Sequence, residues 1–507
     1  MRKLLVANRG EIAVRIMRAA RELGLRTVAV YSEVDHDAPH TLLADEAYVL
    51  GPPEPAQSYL NSACLLEVAH TCGADAVHPG YGFLAENAAF AADCQRAGLI
   101  FIGPSTAAIR QMGSKILSKQ IAEQAGVPVV PSFQACDAAT LAQQAPQAAE
   151  RLGYPILVKA SAGGGGKGMR IVERPVELLP ALEAGAREAQ QAFGDATLLL
   201  EKYLPAPRHV EVQVLGDHFG NRVHLFEREC SIQRRHQKII EETPSPAMDA
   251  ALRQRMTEAA LRLAAAVDYT NAGTVEFLLA PDGQFYFLEM NTRLQVEHPI
   301  TEFVTGLDLV HLQLRIARGE RLPFTQAQLT QRGHAIECRL YAEDPAHDFL
   351  PATGHVRVLR EPHGPGRRID SGIALQQEVT PYYDPILAKL ITYGATREEA
   401  RLRMQALLRD YAILGVTTNR QFLLDVIASE AFAAGATDTA FLERYFPDWQ
   451  PTATIPDDIL ALAALGEMLQ RSSQPTALPT ATSPGVASLF TTPWQRYDGW
   501  RLGGGVG

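Results

Sequence analysis

The stretch Glu289-Met290-Asn291-Thr292-Arg293-Leu294-Gln295-Val296-Glu297 puts a polar or charged side chain on every odd number and, Thr292 apart, an apolar one on every even number. Extended, it would gather Glu, Asn, Arg, Gln and Glu on one face. A solvated strand is the ordinary reading of such a run. The preceding QFYFL argues against it, because a segment apolar on both faces reads as a strand buried on both sides. Glu276, in TVEFLL, and Glu289 lie in two apolar runs joined by the turn PDG, so a hairpin would bring their carboxylates side by side, with Asn291 two residues further on. Such hard oxygen donors suit Mg2+ held together with substrate phosphates. Reach limits the face: eight strand residues at about 3.3 Å each would put ~26 Å between Glu289 and Glu297. The strand is therefore predicted to stop near Asn291, leaving Glu289 and Asn291 on the metal and bending RLQVE away as a loop around a second ligand.

A second chemical signal is ASAGGGGKGMR, residues 160–170. Gly163, Gly165 and Gly168 formally satisfy G-x-G-x-x-G, but a strand, MRIV, follows instead of a helix, and Lys167 is followed by Gly instead of Ser or Thr, so this is no Walker A loop. Between two strands it reads as a flap whose backbone N–H groups cover phosphates, with Lys159 and Lys167 adding charge. A merely flexible linker is the alternative. QRRHQK groups Gln233, Arg234, Arg235, His236 and Lys238, which composition alone would class as a basic surface turn, and His209 in HVEVQV reads as structural. Together these residues describe an ATP–Mg2+ enzyme that moves a phosphoryl group by positioning and charge neutralisation, its acceptor undetermined.

Elements must hold these residues. KLLVA, EIAVRIMRAARELG and RTVAVYS form a βαβ pattern that continues to residue 113 as a parallel α/β domain, and its first turn, ANRGE, lacks the dinucleotide fingerprint. Residues 114–203 hold the strands around the Gly run, an Ala-rich helix over 181–193 and the strand TLLLEKYL. Residues 204–446 open with hairpin strands HVEVQVLGD and NRVHLFERE and close with helices such as REEARLRMQALLRDY. From 447 to 507 a short amphipathic helix, PDDILALAALGEMLQRS, leads through the linker SQPTALPTATSPG to PWQRYDGWRLGGGVG, which reads as the first strand of a further domain.

The 507 residues require several cores, and 21% charged with 47% hydrophobic residues is the balance of a globular enzyme. A net charge of −10 offers no basic footprint for nucleic acid or an anionic membrane, so an anionic ligand must be gathered locally. Six scattered cysteines argue against zinc and a disulfide framework and fit a reducing compartment. No apolar run approaches the ~20 residues of a membrane span, and MRKLLVANRGE is too briefly apolar for a signal peptide, which makes a cytoplasmic enzyme the expectation. Only 8 lysines stand against 39 arginines, yet Lys115, Lys159, Lys167 and Lys238 all fall in the stretches of interest.

The strings ANRGEIAVRI, HPGYGFLAEN, FIGPS, MGSK, VKASAGGGGKGM, EKYL, RHVEVQV, ERECSIQRRHQKIIEE, EMNTRLQVEHP, ECRLYAED and YYDPILAKL, in order over residues 1–446, resemble biotin carboxylase, an ATP-grasp ligase. The resemblance implies an α/β fold, α+β in part, with an N-terminal Rossmann-like domain, a flexible Gly-rich lid and a C-terminal mixed α/β domain. It implies that ATP and bicarbonate give carboxyphosphate, which breaks down to CO2 and phosphate, and that the N1′ of biotin captures CO2. By motif, Lys115, Lys159, Gly163, Gly164, Gly165, Gly166, Lys167, Glu201, Leu204, His209, Gln233 and His236 would hold the nucleotide, and Glu276, Glu289 and Asn291 the Mg2+ or Mn2+. Lys238, Arg293, Gln295, Val296 and Glu297 would hold bicarbonate, Glu297 would deprotonate it, and Arg339 would stabilise the enolate of biotin, with Tyr81 beside it. A carboxylate between Lys and Arg keeps a low pKa and stays ready to accept a proton. No A-M-K-M-like lysine occurs. Biotin is therefore expected on a separate carrier protein or domain, alongside a partner carboxyltransferase subunit, in a homo- or hetero-oligomer. The tail resembles α subunits of acyl-CoA carboxylases of the acetyl-, propionyl- or methylcrotonyl-CoA type. The competing readings are another ATP-grasp carboxylate ligase and a non-catalytic ATP-binding subunit.

Overall fold

In the computed structural model, residues 1–134, 138–160, 169–193, 196–451 and 457–473 are described. The N-terminal pattern folds as read. Strands β1 (Lys3–Val6), β2 (Arg26–Ser32), β3 (Glu46–Gly51), β4 (Ala76–His78) and β5 (Ile100–Phe101) form a parallel sheet in the order β3-β2-β1-β4-β5. Leu4 and Val6 of β1 pack on one side and Leu5 and Ala7 on the other, into two separate cores, which is why the chain is apolar at every position from Leu4 to Ala7. Helix α1 (Gly10–Glu22) starts from Gly10, whose φ of 66° an L side chain rarely adopts. Only Arg18, Arg21 and Glu22 of this helix are exposed; Glu11 and Arg15, both buried, point its charge inward instead.

A small antiparallel sheet follows in the order β6 (Ser132–Gln134), β9 (Leu198–Lys202), β7 (Ile156–Ala160), β8 (Arg170–Val172). The helices Ala138–Leu152 and Leu178–Phe193 close over it, and Leu141, Ala149, Ile156, Val158, Val172 and Leu200 give it a core of its own. The Gly run, and with it Gly163, Gly164, Gly165, Gly166 and Lys167, lies outside the described residues between β7 and β8.

The largest element is an eight-stranded antiparallel sheet: β14 (Phe285–Asn291), β13 (Asn271–Leu279), β10 (Arg208–Gly216), β11 (Arg222–Arg234), β12 (Gln237–Thr243), β15 (His334–Tyr341), then the strands Ile386–Gly394 and Arg367–Ser371. Both predicted hairpins form. Val210, Val212, Val275 and Phe277 bury one face against Met256, Ala260 and Leu263 of the helix Ala250–Ala266, at about 2 kcal/mol per fully buried side chain. The β11–β12 turn is made by Arg235 and His236, at φ of 48° and 68°, conformations usually given to Asn-Gly.

One expectation is corrected. QFYFL does not form a strand buried on both faces: β14 is the edge of the sheet, with Phe285 and Phe287 buried and Tyr286 and Leu288 partly exposed. Outward-facing Tyr and Leu mimic a core strand in the sequence. The chain after the helix Lys115–Gln124 covers the edge, with Phe287 N donating to Pro128 O at 2.7 Å.

Residues from Thr452 onward form a second unit, whose described part is the helix Asp457–Ser473 with Ile459, Leu462, Leu465 and Met468 exposed. The linker and the C-terminal strand expected after it fall outside the described residues. Among the described residues no helix is long and apolar enough to cross a membrane.

Candidate active site

The bend demanded by reach is present. Strand β14 ends at Asn291, residues 292–297 form a loop, and the helix His298–Thr305 begins directly after Glu297. Glu276 and Glu289 are register partners across the hairpin. The loop then curls back on Glu276: its Oε1 accepts from Asn291 Nδ2 at 2.7 Å and from Gln295 Nε2 at 2.9 Å. Arg293 braces the curl, donating to Asn291 Oδ1 and Gln295 Oε1, both at 3.0 Å, while its Nε reaches Glu86 at 2.9 Å. Folding back, not extension, brings Glu276 and Glu297 to one lysine.

That lysine is Lys238. Its Nζ donates to Glu276 Oε1 and Glu297 Oε1, each at 2.8 Å, and to Glu211 Oε2 at 2.5 Å. Arg339 holds the other side of Glu297, with Nη2 3.0 Å from Oε2, and its Nε donates to Glu241 at 2.6 Å. The Glu297 side chain is 0% exposed. Burial pushes its carboxyl up, but Lys238, Arg339 and Arg228 outweigh burial and hold it well below the usual carboxylate range. Glu276 is depressed against burial in the same way, by Lys238 and His209. Its second oxygen lies 2.8 Å from His209 Nε2, and His209 Nδ1 lies 2.6 Å from the amide nitrogen of Gln233. His209 thus joins the site instead of serving a plain structural role.

Glu289 differs. Although its side chain opens to solvent, burial together with the like charges of Glu276 and Glu86 holds its carboxyl above the usual range. Two facing carboxylates that repel each other beside the Asn291 amide fit a hard divalent cation, whose charge would relieve the repulsion.

Toward the small sheet, the buried Glu201 carboxylate takes Lys159 from β7 and Lys119 from the helix Lys115–Gln124. Burial raises its pKa, but the two lysines bring it below the ordinary value. Lys115 opens the same helix, and burial and Lys159 lower its pKa. Leu204 lies half-buried just beyond β9, and His236 is exposed at the tip of the β11–β12 turn. Val296 takes part through its carbonyl, which accepts from the buried Lys389 at 2.9 Å. Tyr81 donates to Glu11, itself 3.2 Å from Lys389, and among the described residues no hydrogen bond links it to Arg339.

Reading the sequence missed Glu211, Arg228, Glu241, Lys119, Glu86 and Lys389. Glu211 carried the same signal as Glu276, an acid among apolar strand residues that needs a partner when buried. Arg228, its register neighbour, satisfies it at 2.5 Å and donates also to Gln213, Thr274 and Thr301. Glu86, Lys119 and Lys389 had no local signal, since their partners lie far along the chain.

A parallel α/β domain, a small sheet carrying a Gly-rich segment, and an antiparallel sheet lined with Lys, Glu and Arg define an ATP-grasp ligase. Family models described as "Biotin carboxylase, N-terminal domain", "Carbamoyl-phosphate synthase L chain, ATP binding domain" and "Biotin carboxylase C-terminal domain" match residues 1–109, 114–325 and 337–444. A pyruvate carboxylase subunit from Methanothermobacter thermautotrophicus is 53% identical over 443 residues, 87% of this chain and 90% of that one. Biotin carboxylase of Nostoc sp. is 50% identical over 442 residues, 87% and 98% of the two chains. The α subunit of mitochondrial methylcrotonoyl-CoA carboxylase from Rattus norvegicus is 48% identical over 482 residues, 95% of this chain and 67% of that one. Among solved structures, the biotin carboxylase domain dimer of Hydrogenobacter thermophilus 2-oxoglutarate carboxylase, in complex with MgADP, ADP and bicarbonate, superposes with a TM-score of 0.84 at 44% identity, covering 89% of this chain and 99% of its own. Biotin carboxylase of Campylobacter jejuni gives 0.84 at 42%, covering 88% and 99%. The chain belongs to the biotin carboxylase family.

Proposed function

We propose that this chain carboxylates biotin on a carrier protein or domain, using ATP and bicarbonate and releasing ADP and phosphate, as the first half-reaction of a biotin-dependent acyl-CoA or pyruvate carboxylase. The observation that supports it best is Glu297, a fully buried yet ionised carboxylate clasped by Lys238 and Arg339 at the end of a loop that returns to Glu276.

In this reading Lys238 and Arg293, with Gln295 and the Val296 backbone, gather bicarbonate. Glu297 accepts its proton, and the freed oxygen attacks the γ-phosphorus of ATP, giving carboxyphosphate and ADP; carboxyphosphate then breaks into CO2 and phosphate. The low pKa of Glu297 keeps it unprotonated at neutral pH, and Lys238 on Oε1 with Arg339 on Oε2 holds the carboxylate in one orientation. Arg339, permanently cationic, would stabilise the negative charge that the ureido oxygen of biotin takes up as N1′ attacks CO2, with Tyr81 as a further biotin-binding residue. Lys115, Lys159, Glu201, Leu204, His209, Gln233 and His236 would bind the nucleotide, as would Gly163, Gly164, Gly165, Gly166 and Lys167, which lie outside the described residues. Glu276, Glu289 and Asn291 would hold Mg2+ or Mn2+, which supplies charge neutralisation of the polyphosphate.

The units 1–113, 114–203, 204–446 and 447–507 belong to the same reading, and the small sheet's own core supports the second of them. So do a cytoplasmic location, a partner carboxyltransferase subunit, and an oligomer of this chain with itself or with those partners. Bicarbonate-dependent ADP release, measured with and without free biotin at saturating Mg-ATP, tests the activity. Biotin should stimulate it, and no stimulation would sink the proposal.

A further inference from the structure

The small sheet and the body of the molecule meet at one carboxylate. Glu201 lies on β9, in a sheet with its own core, whereas Lys119 lies on the helix Lys115–Gln124, whose Ala122 belongs to the core of the large sheet with Met256 and Phe287. Glu201 is 6% exposed at its side chain, and both its cations, Lys119 from the body and Lys159 from β7, are 16% exposed. The neighbouring strand β6 contributes only Ser132, Phe133 and Gln134. Among the described residues, the other charged groups in reach are Lys115 and Glu123 on the helix and Glu289 on β14, while Lys202 turns away to Gly153 O at 2.7 Å. One buried carboxylate therefore carries two ammonium groups, from opposite sides of the junction.

We propose that Lys119 is a positioning residue for nucleotide binding, which keeps Glu201 compensated from the body side and so frees the Lys159 ammonium to move from Glu201 to the polyphosphate. The charges dictate this. A lysine that is the sole partner of a buried carboxylate cannot leave it without stranding that charge, which weakens any binding that requires it to leave. With Lys119 in place the carboxylate stays paired, and Lys159 exchanges one anionic partner for another. Because Lys119 acts through Glu201, it reaches the nucleotide without touching it. The inference rests on the reading of Lys159 as a nucleotide-binding residue.

The test is calorimetric titration of the full chain with MgADP, alongside steady-state kinetics, for the unsubstituted protein, Lys119→Met and Lys119→Arg. Lys119→Met should weaken MgADP binding and raise the KM for Mg-ATP about tenfold, leaving kcat and the KM for bicarbonate within about twofold, and Lys119→Arg should restore both. The Kd ratio of Lys119→Met to the unsubstituted protein should shrink as pH is lowered from about 8.5 to about 6.5, since protonating Glu201 replaces the lost cation and titration of the nucleotide cancels in the ratio. A purely structural lysine would give a ratio independent of pH, and that result, or a Kd within about twofold throughout, overturns the proposal. If Lys119→Met does not fold, Lys119→Gln carries the same expectations, and failure of both to fold also overturns it. MgADP binding that is absent from the unsubstituted protein overturns the nucleotide reading itself, and this inference with it.

Discussion

Glu297 and Arg228 are both completely buried charges, yet their substitutions should be felt in different measurements. Glu297 is the proton acceptor of the proposed reaction, so Glu297→Gln should lower biotin-dependent turnover by roughly a hundredfold or more while MgADP binding in calorimetry stays unchanged. Full turnover in that variant would remove Glu297 from its role. Arg228 donates to Glu211, Gln213, Thr274 and Thr301, all buried within the sheet and the helix beside it. Arg228→Met strands Glu211 with Lys238 alone and should cost about 3–5 kcal/mol in urea unfolding, because breaking a buried pair leaves an uncompensated charge. What the sequence disclosed at this scale was whatever repeats or alternates locally: Glu276, Glu289 and Asn291 were found from a period of two and a hairpin turn. Glu86 and Arg293, separated by 207 positions, share no local pattern, and only the fold brings them together.

The elements explain why the period of two ended where it did. Arithmetic on strand rise required a bend after Asn291, and the loop residues 292–297 supply it, with Gln295 hydrogen bonding back to Glu276 on β13. Burial was less legible: an edge strand with Tyr286 and Leu288 facing partly outward carries the same letters as a central one. One strand end also makes the stability of the fold depend on pH. His78, at the end of β4, accepts from Gly80 N at Nδ1 and meets Gln313 Oε1 at Nε2, which ties the parallel sheet to the helix Leu309–Ala317. Burial lowers its pKa from 6.5 to about 4. The unfolded chain then takes up a proton at this residue first, so the stability it contributes is complete above pH 6.5 and is lost as pH falls toward 4. Between pH 7 and pH 5 the unsubstituted protein should lose about 2 kcal/mol more than His78→Gln, read from urea midpoints at the two pH values. An equal loss in both would mean that His78 protonates in the folded state as readily as in the unfolded one.

Over the whole molecule, every described site residue lies within Met1–Pro451, which forms one unit, and relatives such as the Nostoc biotin carboxylase match over 442 residues. Ending the chain after Pro451 should therefore leave biotin-stimulated ADP release within about twofold, and a larger loss would assign the second unit a part in the first half-reaction. The arrangement of Lys238, Glu241, Arg339 and Lys389 has a further consequence. They stand on three adjacent strands, where Glu241 faces Glu337 and Arg339 faces Lys389 in register. A single-residue insertion or deletion inside β15 or Ile386–Gly394, unless taken up as a bulge like the one between Lys238 and Ile240 in β12, would turn the following side chains of that strand to the opposite face and send Arg339 or Lys389 into the apolar layer. Length changes within those two strands are therefore poorly tolerated, and the spacing of their charged residues is as much a part of the catalyst as their identity.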